Sequence, residues 1–152
     1  MINKILFLLS GNEKKLKQEI YHITGLRPKN IQLYKQAFRH SSASQFIEGT
    51  DVKNSNERLE FLGDAVLNLI VAQSLFLKFP FKDEGFLTQL RSKIVSREQL
   101  NSLAVKIGIE EFINFDKKLG HNRHRMKSLP GNTFEAFIGA LFLDKGFDKT
   151  KF

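Results

Sequence analysis

Residues 59–79 constrain this chain most. Apolar residues there fall on every face of a helix, from Leu59 and Phe61 through Val66, Ile70 and Leu75 to Phe79, and a helix apolar all round belongs in a core. Glu60 and Asp64 nevertheless sit inside it. At this spacing they project from one face a turn apart, and two ionised carboxylates in apolar surroundings repel each other and lack solvation. A positive charge is expected between them. A divalent cation such as magnesium is the most economical one, because hard cations take carboxylate oxygens.

A chain of 152 residues is long enough for one domain with a real core. Its formal net charge of +8 favours a polyanionic partner, nucleic acid first and an anionic membrane second. Buried-type acids in a basic protein are what a metal-dependent enzyme acting on a phosphate backbone needs. With no cysteine, disulfides and thiolate metal sites are excluded. The apolar run near the start, Ile5 to Leu9, is too short to span a bilayer or act as a signal core. The chain therefore reads as soluble, untargeted and cytoplasmic, with no membrane partner and no organic cofactor.

Periodicity and punctuation predict an all-α fold. A helix is expected over 4–23, interrupted at Ser10-Gly11-Asn12 and ended by Gly25 and Pro28. Within it, Glu19 and His22 have the Glu-x-x-His spacing of di-iron bundles but lack the second such motif those proteins need, so an ordinary helix surface is expected. A short helix over 30–40 leads into a polar loop reaching Ser55. Asn54 reads as the N-cap of the 59–79 helix, with Glu57 three residues on as in a capping box, and Phe79-Pro80 ends it. Asp83-Glu84-Gly85 opens the next helix, and Ser96 with Gln99 caps another that stops at Gly108. A basic loop over 117–127 is a solvated connector or an RNA-phosphate contact. Pro130-Gly131 closes it, and a last apolar helix is expected from Asn132 to Asp144, with Glu135 inside it and Asn132 as its N-cap.

Both apolar helices thus carry acids, and each has a glycine on the same face: Gly63 three after Glu60, Gly139 four after Glu135. Glycine inside a helix costs about 1 kcal/mol against alanine, so both are read as permitting close helix approach. If the helices pack there, Glu60, Asp64, Asn132 and Glu135 face one another in an oxygen-rich site suited to magnesium or manganese. Capping or interhelical ion pairing could instead account for Glu57 and Glu135, but Asp64 lies too far inside its helix to cap. No Ser, Cys or His constellation offers a covalent nucleophile, so metal-assisted hydrolysis of a phosphodiester is the expected chemistry.

The stretch Asn56-Glu57-Arg58-Leu59-Glu60-Phe61-Leu62-Gly63-Asp64-Ala65-Val66-Leu67 resembles the signature of the ribonuclease III family nearly residue for residue. Phe38-Arg39-His40-Ser41-Ser42, the 83–91 stretch from Asp83 to Arg91, and the 133–144 stretch from Thr133 to Asp144 are similar to further family segments in the family's order. The resemblance implies a ribonuclease III endonuclease-domain-like helical fold over 1–152, with residues 1–28 as an N-terminal helical extension. It also implies an obligate homodimer that cleaves double-stranded RNA with Mg2+, leaving 5′-phosphates and 3′-overhangs, in rRNA and mRNA processing; Mn2+ should substitute. Carried over by position, Glu60, Asp64 and Glu135 are metal-binding acids, Asp64 and Glu135 catalytic, and Asn132 stands at a fourth metal position. Glu57 and Glu84 match acids near the RNA cleft or dimer interface, and Arg58, Arg91, Arg123, Arg125 and Lys127 are candidates for the same surfaces. The interface is expected near Phe61 and along 87–94.

Two departures accompany the resemblance. The family usually has aspartate where this chain has Asn132, leaving three carboxylates for four, either as a tolerated variant, as an inactivating change, or in a degenerate domain. Bacterial members also continue into a double-stranded-RNA-binding domain, so this chain reads as a piece of a longer protein. The alternatives to an active nuclease are a domain of the same fold that binds duplex RNA or a ribosomal partner without cutting, and a helical bundle whose charge confers only solubility.

Overall fold

The computed structural model describes residues 2–116, 118 and 123–151, with side chains for 11–116, 118 and 127–151. Among the described residues seven α-helices follow in order: α1 (Ile2–Thr24), α2 (Ile31–Ala37), α3 (Glu57–Lys78), α4 (Glu84–Ile94), α5 (Arg97–Lys106), α6 (Arg123–Lys145) and α7 (Phe147–Thr150). Among the described residues there is no strand, only isolated bridges at Arg39–Asn114 and Phe46–Lys53.

The helix at the centre is α6. Ala136, Phe137, Ile138, Ala140 and Leu141 are all buried on successive faces, as expected for a helix apolar all round. Packed on it are Tyr34, Ala37 and Phe38 from α2 and its end, Leu59 and Val66 from α3, and Leu100 and Ala104 from α5. The rings of Tyr34 and Phe38 lie 5.8 and 5.9 Å from that of Phe137, within the range of favourable tilted aromatic pairs. Leu16 and Ile20 tie α1 to the same core. The Asp144 carboxylate, near the end of α6, accepts the amides of Lys29 and Asn30 at 3.0 and 2.8 Å and the Tyr34 hydroxyl at 3.0 Å, fastening the start of α2.

Expectation and structure differ at α3. Residues 59–79 read as a helix buried all round, yet Phe61 is 81% exposed and Leu69, Phe76 and Leu77 are exposed with it. One face of α3 lies on α6; the opposite face meets α4 only in part and leaves Phe61, Leu69, Phe76 and Leu77 exposed. The α3–α6 seam runs through two glycines, as the spacing predicted. A Cβ on Gly63 would fall 2.6 Å from the Glu135 carbonyl carbon and nearer still to its oxygen, and one on Gly139 would collide with the Leu59 carbonyl.

The largest correction concerns α6, which starts at Arg123 instead of Asn132 and contains Pro130. Proline removes a ladder hydrogen bond, and a side chain from α5 bridges the turn beside it: Asn101 donates Nδ2 to the Lys127 carbonyl at 2.7 Å and accepts the Gly131 amide on Oδ1 at 2.8 Å. Asn132 is therefore no N-cap, and Glu135 is not in a capping box. Smaller corrections are local. Gly11 does not interrupt α1, because one glycine taxes a helix without stopping it. Asn54 does not cap α3, which starts at Glu57, where Ser55 Oγ donates to Glu57 Oε2 at 3.1 Å. Helix α2 stops at Ala37 because the backbones of Phe38, Arg39 and His40 pair with Asn114 and Asn56. Asp83 and Ser96 cap α4 and α5 as expected, accepting the Phe86 and Gln99 amides, and Phe79 ends α3. Glu19 and His22 form a surface pair at 3.8 Å.

Candidate active site

The glycine seam lets the backbones of α3 and α6 approach so closely that the side chains flanking it share one cavity of about 510 Å3. Glu57, Glu60 and Asp64 reach it from α3, Asn132 and Glu135 from α6, and Arg97 from the first turn of α5, with His40, Ser41, Asn56 and Phe61 completing the wall. All four residues read as metal donors are thus brought together. Asp64 is exposed and held by Asn68, whose Nδ2 donates to Asp64 Oδ1 and to its carbonyl, each at 3.0 Å. Glu60 and Glu135 are half-buried.

Their electrostatics follow from crowding. Burial first, then the charges of Asp64 and Glu60, push the Glu135 carboxyl up to about 7 against the opposing charge of Arg97. Glu60 is also raised, by burial first and then by Glu57 and Asp64, against Arg97 and a hydrogen bond from Asn132. Among the described residues no three His, Cys, Asp or Glu side chains already stand as a metal-ligand cluster. The donor set still suits a hard divalent cation: carboxylates from two helices disfavour one another's ionised forms, and such a cation between them relieves both repulsion and desolvation.

A pH dependence follows. In chelator, the proton on Glu135 is held more tightly in the folded chain, near 7, than at the ordinary 4.5, so its contribution is complete below 4.5 and drains away as pH rises through about 7. Glu13 and Asp144 are shifted downward and have finished titrating by about pH 5. Thermal melts are expected to give a lower Tm at about pH 8 than at about pH 5, and equal values would contradict the assignment.

Other candidate residues lie elsewhere. Glu84 and Arg91 line a separate groove of about 560 Å3 between α3 and α4 with Leu69, Phe76 and Leu87, and Glu84 Oε1 accepts the Thr88 hydroxyl at 3.2 Å. Arg58 and Lys127 are exposed and do not line the acidic cavity. The side chains of Arg123 and Arg125 lie outside the described residues. Arg97, His40 and Asn56 were not singled out as site residues from the sequence. Asn56 belongs to the signature stretch, and an orphaned buried polar atom marks it: it is 2% exposed and its Nδ2 has no hydrogen-bond partner. No spacing rule links Arg97 to α3, because packing of α5 on α6 brings it there.

A Ribonuclease-III-like family model matches residues 30–152. Ribonuclease 3 of Azobacteroides pseudotrichonymphae is 46% identical across 99% of this chain and 57% of its own length, and that of Bacteroides thetaiotaomicron is 48% identical across 86% and 41%. The chain thus spans about half the length of these curated relatives. The nuclease domain of ribonuclease III from Campylobacter jejuni superposes with a TM-score of 0.75 at 33% identity, covering 88% of this chain and 89% of that one. Helix order, signature helix and sequence agree: the chain belongs to the ribonuclease III family.

Proposed function

We propose that this chain is the nuclease domain of an endoribonuclease that hydrolyses phosphodiester bonds of double-stranded RNA, leaving 5′-phosphates and 3′-overhangs, in cytoplasmic processing of rRNA and mRNA. The observation that carries this reading is the convergence of Glu60, Asp64 and Glu135 from two helices into one cavity of a protein with net charge +8. Residues 1–152 are read as one domain, with α1 as its N-terminal extension. Glu60, Asp64 and Glu135 would hold Mg2+, or Mn2+ in its place, with the Asn132 amide oxygen as a fourth donor once it gives up the bond it accepts from Arg97. When bound, such an ion lowers the pKa of water, orients it and offsets charge on the leaving oxygen. The exposed Asp64 and half-buried Glu135 carboxylates would each be able to accept a hydrogen bond from water in the cavity, and Glu60 would offer its oxygens from the same face of α3 as Asp64. Retention of three carboxylates favours the active reading over a domain that only binds.

The exposed face of α3 fits a second copy of the chain. Phe61 lies at the edge of the acidic cavity, and Leu69, Phe76 and the α4 side chain Leu87 continue the apolar surface. By length and composition α3 could cross a membrane, but Glu60, Asp64 and the glycine seam commit it to protein. The similar Campylobacter jejuni structure is described as having a region involved in dimer formation. Phe61→Asp is expected to convert a dimer into a monomer at micromolar concentration, read by sedimentation; a native chain already monomeric there contradicts the dimer. The activity itself is tested by incubating the chain with long duplex RNA and Mg2+. Shortened duplexes with 5′-phosphate ends are expected, and a folded dimer yielding no products would overturn the reading.

A further inference from the structure

Among the described residues lining the acidic cavity, one carries a permanent positive charge. Arg97, exposed at the first position of α5, donates Nη1 to Asn132 Oδ1 at 3.3 Å, and its charge favours the ionised forms of both Glu60 and Glu135. Asn132 also favours the ionised form of the neighbouring Glu60. A carboxylate only accepts, so Nδ2 is the Asn132 atom able to serve Glu60 while its oxygen receives Arg97. An ionised aspartate at 132 could perform the second task but not the first. We propose that Arg97 is a substrate-binding residue of this site, a guanidinium that takes a non-bridging oxygen of the RNA phosphate and that Asn132 holds ready for it.

Three physical points support this proposal, which rests on the duplex-cleaving reading of the cavity. A cavity lined by carboxylates repels a polyanion, so phosphate entry needs donors from the protein as well as a bound cation. The guanidinium fork matches phosphate geometry and does not lose its charge, and the start of α5 adds the positive end of a helix dipole. The buried Asn56 Nδ2 on the same wall is a further donor without a protein partner. Against this background the exchange of the usual aspartate for Asn132 has a positive reading. An ionised aspartate there would form a full ion pair with Arg97, bidentate where the geometry allows, and hold it back from the phosphate, whereas the neutral amide offers it a single oxygen at 3.3 Å.

The test uses the full chain. Arg97→Ala is expected to raise KM for a short duplex RNA roughly tenfold, with a smaller change in kcat, and Arg97→Lys to fall between. In a Glu135→Gln background that blocks cleavage, Arg97→Ala should reduce the slope of log affinity against log salt by about 1, as for one lost phosphate contact. Arg97 is exposed, so both variants should melt like the parent. Unchanged KM and unchanged salt slope in a folded Arg97→Ala protein overturn the proposal. A parent chain that binds without cutting sinks the nuclease reading alone and leaves the salt slope to decide Arg97; one that neither binds nor cuts overturns both.

Discussion

Gly63→Ala is expected to destabilise the fold by several kcal/mol and to lower its Tm sharply. The added methyl group would meet the carbonyl of Glu135 on α6, not the flexible end of a side chain, so relief requires α3 and α6 to separate. That separation exposes the core around Leu59, Val66 and Phe137. Alanine is otherwise the better helix former by about 1 kcal/mol, so helix propensity alone predicts a gain. The clash is the larger effect: losses above about 4 kcal/mol arise from this kind of core overpacking, against total stabilities of roughly 5–15 kcal/mol. Circular dichroism melts decide it. A Gly63→Ala protein as stable as its parent would mean that the two helices are not in contact there, and the acids would then lose their common cavity.

Asp64→Asn and Glu135→Gln are expected to lower duplex cleavage at least roughly 100-fold each while leaving the fold intact, because each removes one carboxylate from the set offered to the cation. Their effects on stability should differ. Asp64 is exposed and already bonded to Asn68, so its amide should be nearly neutral. Glu135 is held near 7 by burial and its acidic neighbours, so the neutral amide should raise Tm in chelator at about pH 8 and make no difference at about pH 5. Activity falling as stability rises is the pattern of a site whose charges serve a ligand instead of the fold. Parallel losses of activity and Tm in both variants would assign these acids to packing.

Features governed by neighbouring residues were legible in the chain itself. Asp83 and Ser96 cap their helices because an N-cap bond spans only a few residues. Gly63 and Gly139 announced the seam because glycine inside an apolar helix has few other uses. The pairing of Glu60 with Asp64 followed from helical spacing, and the signature around them named the family. Contacts between distant residues were not legible. Pro130 looked like the end of a loop because the Asn101 side chain that bridges the turn beside it comes from another helix. Arg97 enters the acidic cavity only through the packing of α5 on α6, which no local spacing announces. The exposure of Phe61 and Phe76 was missed for a different reason: an apolar face states that something covers it, not whether the cover is the same chain or a second copy.

The central claim is that Glu60, Asp64 and Glu135 form a divalent-metal centre. Its most direct test is a crystal of this chain soaked in manganese and measured for anomalous scattering. A peak is expected in the cavity between α3 and α6, within coordination distance of oxygens of all three carboxylates. Full occupancy of manganese elsewhere in the crystal with no peak between these acids would contradict it.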